Sequence, residues 1–409
     1  MTWLYVGLSL GAPISLAAVA LRSCKHLGLF PIVAAIIWSI AENGRMWSFA
    51  LTTWAPSSLL GAHFSVASIG YPLTENKTLL QLAHPLGIDA LNFFTAFVAG
   101  QLAIAPSSLK SARVKVITIS QALLTILLAT SPLLRETASS TTKAPTLRFA
   151  VISENIAAVR DPDSHEIVKE LLLQAAQAQP PVDVVLLPEE FSLTSIFWSK
   201  EEAKEFTSQL FGTRNVLIVH SRNEVFPAED TNSGIDPKKL VYESTNSGEL
   251  GRYVKLLLMP LGEYAPAFTK SFFSLIDDPE LQMYLDDVLQ LPPPGQNVAS
   301  VRFRGITIGG LLCSDILSPR LYRKLSSDHQ PDVLINLANQ FWFHGSRMLH
   351  FKTLQLARVH AVQNRVPFLM ANNMAPSFAL NPQGAIISQS SWMSREVIYI
   401  DIPPLYLTQ

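Results

Sequence analysis

The 409-residue chain carries 31 basic and 32 acidic residues, a formal net charge of −1, and only two cysteines. A near-neutral balance gives no sign of nucleic-acid binding, two distant cysteines build no disulfide framework, and the length favours two parts over one. Charge is unevenly placed: the first 134 residues hold only seven basic and three acidic side chains, so this third has the composition of a membrane domain and the rest that of a globular one.

Four membrane spans are predicted: Thr2–Leu21, Leu27–Ile40 running on toward Trp47, Leu86–Ala105 and Val116–Leu134. Each is read against the roughly 20 residues that a helix needs to cross. Ser48–Tyr71 is apolar too, but Pro56, glycines and many Ser/Thr break it, so a re-entrant or interfacial course is expected. Arg22 and Lys25 follow the first span, and Lys110, Arg113 and Lys115 lie between the last two. Four crossings place both basic clusters in the cytoplasm and everything after Leu134 outside. The first span is no ordinary signal peptide, because its positive charges follow the apolar run. Cys24 reads as a plain thiol at a loop or helix end. Glu42 and Arg45, in "WSIAENGRMW", fall at the outer end of the second span, where charges either snorkel to the interface or serve a function. The membrane domain is thus set at 1–134, a Ser/Thr/Pro-rich linker at 135–146, and a globular domain at 147–409.

In that domain "LRFAVISENI" predicts a buried strand, followed by a helix that Asp161 caps and Pro162 opens. Further apolar strands are predicted in "VDVVLLPEE", "NVLIVHS", "KLVYES", "ITIGGLLCS", "DVLINLAN" and "VPFLMANN", with a helix over "SRMLHFKTLQLARVHAVQN". Strands buried on both faces and alternating with helices predict an α/β sandwich with the helices outside. No phosphate-binding glycine loop, HExxH or GxSxG occurs, and the histidines show no metal-ligand spacing, so neither a metal nor another cofactor is expected.

Chemistry in open α/β sheets gathers at strand ends. Glu189 after "VVLLP", Lys255 in "GRYVKLLLMPLGEYAP" and Cys313 after "IGGLL" stand there. Together they supply a general base, an electrostatic stabiliser and a nucleophile. Each alone has an ordinary reading: a solvated acid, a lone lysine, a buried small hydrophobe.

Their order and flanks resemble the carbon–nitrogen hydrolase (nitrilase) superfamily, which uses a Glu–Lys–Cys triad. "LPE" resembles its Pro–Glu element, making Glu189 rather than Glu190 the matching base. Within the superfamily the chain is most similar to the apolipoprotein N-acyltransferase family. Pro260, Leu261, Gly262, Glu263, Tyr264, Ala265 and Pro266 match its Pro-Phe-Gly-Glu-Tyr/Phe-Val-Pro segment in register. "NLANQFWFHG" resembles Ser-Asn-Asp-Ala-Trp-Phe-Gly through Asn339, Trp342 and Phe343, and "WSIAENGR" and "LAHPLGIDALNFF" resemble membrane segments. The chain departs from the family pattern at Ser314-Asp315, where the family has Tyr-Glu, at Gln340, and at Ser153-Glu154-Asn155. Set against the family pattern, one or more early spans and the closing membrane helix are expected to be missing from this sequence.

The resemblance implies an α-helical membrane domain of about four spans plus a nitrilase-like four-layer α-β-β-α sandwich. It implies an inner-membrane bacterial enzyme with its catalytic domain on the outer, periplasmic side. Through a thioester on Cys313, that enzyme moves an acyl chain from phospholipid to the N-terminal amine of a diacylated lipoprotein. Glu189, Lys255 and Cys313 would be catalytic, with Glu263 on a mobile loop and Ser314, Asp315, Asn339 and Trp342 in support. Trp342 and Phe343 would either border the acyl pocket or pack in the core. Glu42 and Arg45 would line a lipid entrance. Two rival readings are a membrane-anchored amidase and a non-catalytic membrane binding protein.

Overall fold

The computed structural model describes residues 2–24, 29–56, 58–108, 146–156, 162–190, 200–222, 238–269 and 295–403. The predicted span Val116–Leu134 and nearly all of the linker lie outside these residues. Among the described residues the N-terminal unit has three long helices: α1 (Thr2–Cys24), α2 (Phe30–Thr52) and α3 (Ile88–Ser108). Among the described residues no single helix is long and apolar enough to cross a membrane. The bent pair Lys77–Ala83 and Ile88–Ala103, 118° apart, reaches that length and composition only when taken together. In α2 the reason is local, since Glu42, Asn43 and Arg45 interrupt its apolar run.

The helix α2 continues past the expected end of the second span to Thr52. The segment after it is fastened to the second unit. His63 Nδ1 is 2.7 Å from Ser318 Oγ, and the Ser65 N–H and hydroxyl both donate to the Leu317 carbonyl, at 3.1 and 2.8 Å.

The second unit is built from β1 (Leu147–Ser153), α4 (Pro162–Ala176), β2 (Val184–Leu186), α5 (Lys200–Phe211), β3 (Leu217–Arg222), β4 (Lys239–Ser244) and β5 (Gly248–Val254). It continues with β6 (Ser300–Phe303), β7 (Ile306–Leu312), α6 (Pro319–His329), β8 (Val333–Asn339), α7 (Arg347–Asn364), β9 (Phe368–Asn373), β10 (Phe378–Leu380), β11 (Ile386–Gln389) and β12 (Glu396–Ile402). Two six-stranded sheets result, ordered β12-β1-β2-β3-β4-β5 and β11-β10-β9-β8-β7-β6. Their centres are parallel (β1–β2–β3 and β7–β8–β9), and their flanks antiparallel. Parallel strands must be covered on both faces, and the apolar runs here meet that demand. Phe149, Val151, Val184 and Leu186 join the main core, whereas Ala150, Ile152, Val185 and Ile218 bury against α4 and α5. With α6 and α7 beside the second sheet, this is the expected α-β-β-α sandwich.

One apolar core runs through both units, since Phe64, Tyr71, Leu80, Ile88 and Leu91 belong to the same cluster as Ile308, Leu337 and Phe368.

Candidate active site

The polar ends of β2, β5, β7 and β8 converge at one place. Glu189 follows β2, Lys255 follows β5, Cys313 follows β7, and Asn339 ends β8. Because β1–β3 and β7–β9 run parallel within their sheets, carboxyl ends of neighbouring strands fall together, where α/β sheets form their crevices. Three residues here hold left-handed backbone without being glycine: Glu190 (φ 73°), Leu261 (φ 62°) and Cys313 (φ 47°). Such strain persists only where the surroundings enforce it, and it clusters at functional sites. At Cys313 it turns the chain from β7 into a short 3₁₀ turn, Cys313–Leu317.

The Cys313 sulfur is an electrostatic neighbour of the Glu189 carboxylate and the Lys255 ammonium. Lys255 Nζ lies 3.5 Å from Glu189 Oε1 and 2.8 Å from Glu263 Oε1. All three charged side chains are nearly sealed from solvent, with side-chain exposures of 2%, 1% and 11% for Glu189, Lys255 and Glu263. Glu263 does not ride on a loose loop: its Oε2 accepts the Met259 N–H at 2.8 Å, and the residue next to it, Tyr264, donates to the Thr53 carbonyl at 2.9 Å. Asn339 holds the base from the other side, its N–H 3.2 Å from Glu189 Oε2 and its amide 2.5 Å from Glu190 Oε2.

Asp315 is buried behind Cys313 and fastens two segments together. It accepts the Leu257 N–H at 2.8 Å, the Leu312 N–H at 3.0 Å and the Tyr253 hydroxyl at 2.7 Å. The Ser314 hydroxyl donates to the Leu257 carbonyl at 2.5 Å. Both residues therefore lock the lysine segment to the cysteine turn. Burial raises the Asp315 carboxyl to about 6, although Lys255 and the three donors pull the other way.

Electrostatics fix the protonation states. Burial and the carboxylates Glu189 and Glu263 push the Cys313 thiol pKa up, against the pull of Lys255 and Lys238, so the resting sulfur is a thiol. For Glu189 burial works against charge, but Lys238 and Lys255 outweigh it and hold the carboxyl below its ordinary value. Burial likewise opposes the Lys255 charge, and Cys313, Glu263 and Glu189 overcome it. Glu263 falls to about 2 because Lys255 and Lys238 more than offset its burial.

Several expected residues lie elsewhere. Trp342 is 70% exposed and Phe343 49% exposed, so neither packs in the core. Glu42 and Arg45 pair with each other at 2.8 Å and are buried. Trp38 Nε1 donates to Glu42 at 3.2 Å, and the Ile69 N–H does so at 3.4 Å. The pair fastens α2 to the segment before Tyr71. Sequence reasoning missed Lys238 and undervalued Glu190. The signal for Lys238 was the hairpin "KLVYESTNSGELGRYV", whose register sets Lys239 opposite Val254 and so brings Lys238 beside Lys255.

The carbon-nitrogen hydrolase family profile matches residues 150–409. The chain is similar to apolipoprotein N-acyltransferases: 26% identical over 229 residues to that of Aquifex aeolicus (56% of this chain, 47% of the relative). It is 25% identical over 391 residues to that of Rhizobium rhizogenes (88% and 68%), and 24% over 379 residues to that of Azotobacter vinelandii (91% and 67%). The matched stretch thus spans about half the Aquifex protein and about two thirds of the other two. Among solved structures, Saccharomyces cerevisiae Nit3, a member of branch 10 of the nitrilase superfamily, aligns at 17% identity and a TM-score of 0.46, over 66% of this chain and 93% of Nit3.

Proposed function

The chain belongs to the carbon-nitrogen hydrolase family, and from that premise we propose that it is an N-acyltransferase acting through a Cys313 thioester. The observation that carries this reading is the meeting of Cys313 with a buried carboxylate, Glu189, beside which two lysines stand at 3.5 Å. Glu189 takes the thiol proton as sulfur attacks the ester carbonyl of a phospholipid. A C–S bond forms, and the carbonyl oxygen takes up negative charge beside the Lys255 ammonium and the Ser314 backbone N–H. Collapse breaks the ester C–O bond, Glu189 returns its proton to the leaving oxygen, and a lysophospholipid departs. In the second half the amine of a diacylated N-terminal cysteine attacks the thioester, Glu189 takes up the amine proton, and the sulfur leaves and regains it. Since the resting sulfur is a thiol, proton transfer and attack are coupled in both halves.

The substrate assignment draws on the similarity to apolipoprotein N-acyltransferases across both units. A lipid setting is also favoured by outward-facing apolar side chains on the helical unit. Ile32, Ile36 and Ile40 lie one turn apart on α2 and are 38%, 48% and 68% exposed, and Leu16 and Val19 on α1 are 72% and 66% exposed. The helical unit then lies in a bacterial inner membrane, with the sandwich on its outer side.

Intact-mass measurement after incubation with phospholipid tests the first half. Wild type should gain one acyl chain and Cys313→Ala none. Release of ammonia or amine from small amides, without an adduct from phospholipid, would show a membrane-bound amidase instead.

A further inference from the structure

Lys238 sits where three carboxylates meet. Its Nζ is 3.2 Å from Glu263 Oε1, 3.5 Å from Glu189 Oε1 and 3.6 Å from Glu190 Oε1. It comes there by register: Lys238 immediately precedes β4, and the Lys255 N–H donates to its carbonyl at 2.9 Å, so both lysines stand at one end of the β4–β5 ladder. The groups that face Glu189 are Lys238, Lys255, Glu263, Glu190 and Cys313, with Asp315 beyond Lys255.

Three carboxylates around a single ammonium would repel one another until one took a proton. A proton on Glu189 would leave the thiol with no acceptor. The second ammonium prevents this. Glu190 is the more exposed of the neighbouring acids, 19% against 2% for the Glu189 side chain. Burial and the Glu189 charge raise its pKa while that of Glu189 is lowered. A proton entering the cluster therefore settles on Glu190 first. Glu190 is held for this position at a cost in backbone strain (φ 73°), by its N–H donating to Ser221 Oγ at 2.6 Å and by the Asn339 amide.

We propose that Lys238 is a positioning residue which, against the like charge of Glu190, keeps Glu189 a free carboxylate beside the Cys313 thiol. The inference rests on Glu189 as base and Cys313 as nucleophile, and is independent of the acyl donor.

The test is the pH dependence of Cys313 alkylation by iodoacetamide, read by mass spectrometry on the Cys313 peptide of the full-length protein. Wild type should react faster than a free thiol and lose that advantage along an acid limb as Glu189 protonates. Removing a positive charge this near should move the limb of Lys238→Met to higher pH by about one unit or more. Lys238→Arg should leave the limb in place, Glu190→Gln should move it to lower pH, and the double variant should return it toward wild type. A Lys238→Met limb coincident with wild type overturns the proposal. If Lys238→Met does not fold, Glu190→Gln decides, because an unmoved limb there overturns it equally. A wild-type Cys313 that reacts no faster than a free thiol, with no acid limb, would instead overturn the catalytic reading itself and this inference with it.

Discussion

Glu263 shows how a single side chain in the site also bears on stability. It contacts both lysines, at 2.8 and 3.2 Å, and its carboxyl falls to about 2 from an ordinary 4.5. A depressed carboxyl favours the folded state above its unfolded value, and that contribution is lost as pH falls from about 4.5 toward about 2. Wild type should therefore exceed Glu263→Gln in unfolding free energy at neutral pH, by on the order of 3 kcal/mol at most, and the gap should narrow steadily below pH 4.5. Denaturant titrations of the two proteins at neutral and acidic pH check this, and a gap that widens toward acid contradicts it. Glu189, Lys255 and Cys313 could be picked out because each stands at a strand end, and Glu263 because it lies in the Pro260–Pro266 segment that matches the family pattern. Lys238 was not, since only its cross-strand neighbour gives it meaning.

At the scale of elements, the lysine segment after β5 and the cysteine turn after β7 come from different sheets and are joined through Asp315. Asp315→Ala would leave the Leu257 and Leu312 N–H groups and the Tyr253 hydroxyl buried without an acceptor. It should cost about 3 kcal/mol, whereas Asp315→Asn keeps one acceptor oxygen and should cost less. Thermal unfolding of both variants measures the difference, and an alanine variant as stable as wild type contradicts the clamp. The central strands were readable because parallel strands covered on both faces are continuously apolar. Of the antiparallel flanks β4 was readable but β5 was not: in "GELGRYV" only Tyr253 is buried. Likewise α6, "PRLYRKLSSDH", is short and mostly polar, so its apolar stripe of Leu321, Tyr322 and Leu325 was overlooked.

Across the whole molecule, the helical unit is part of the scaffold that holds the site. The Thr53 and Trp54 carbonyls at the end of α2 receive the Tyr264 hydroxyl (2.9 Å) and the Ala267 N–H (2.8 Å), next to Glu263. The segment around His63 and Ser65 grips the Leu317–Ser318 end of the cysteine turn. The uneven charge set the first third apart in composition, but its contact with the sandwich was not legible, because that contact depends on polar residues in a stretch that reads only as a broken apolar run. The buried Glu42–Arg45 pair belongs to this same interior fastening. Acyl transfer is the central claim, and a single-turnover experiment tests it most directly. Wild-type protein loaded with a labelled acyl chain from phospholipid is freed of excess lipid, then mixed with a diacylated peptide bearing a free N-terminal amine. The label should leave Cys313 and appear in amide linkage on the peptide, and Glu189→Gln should fail to load at a comparable rate. Label that appears only as free fatty acid, with the peptide unchanged, would contradict the account.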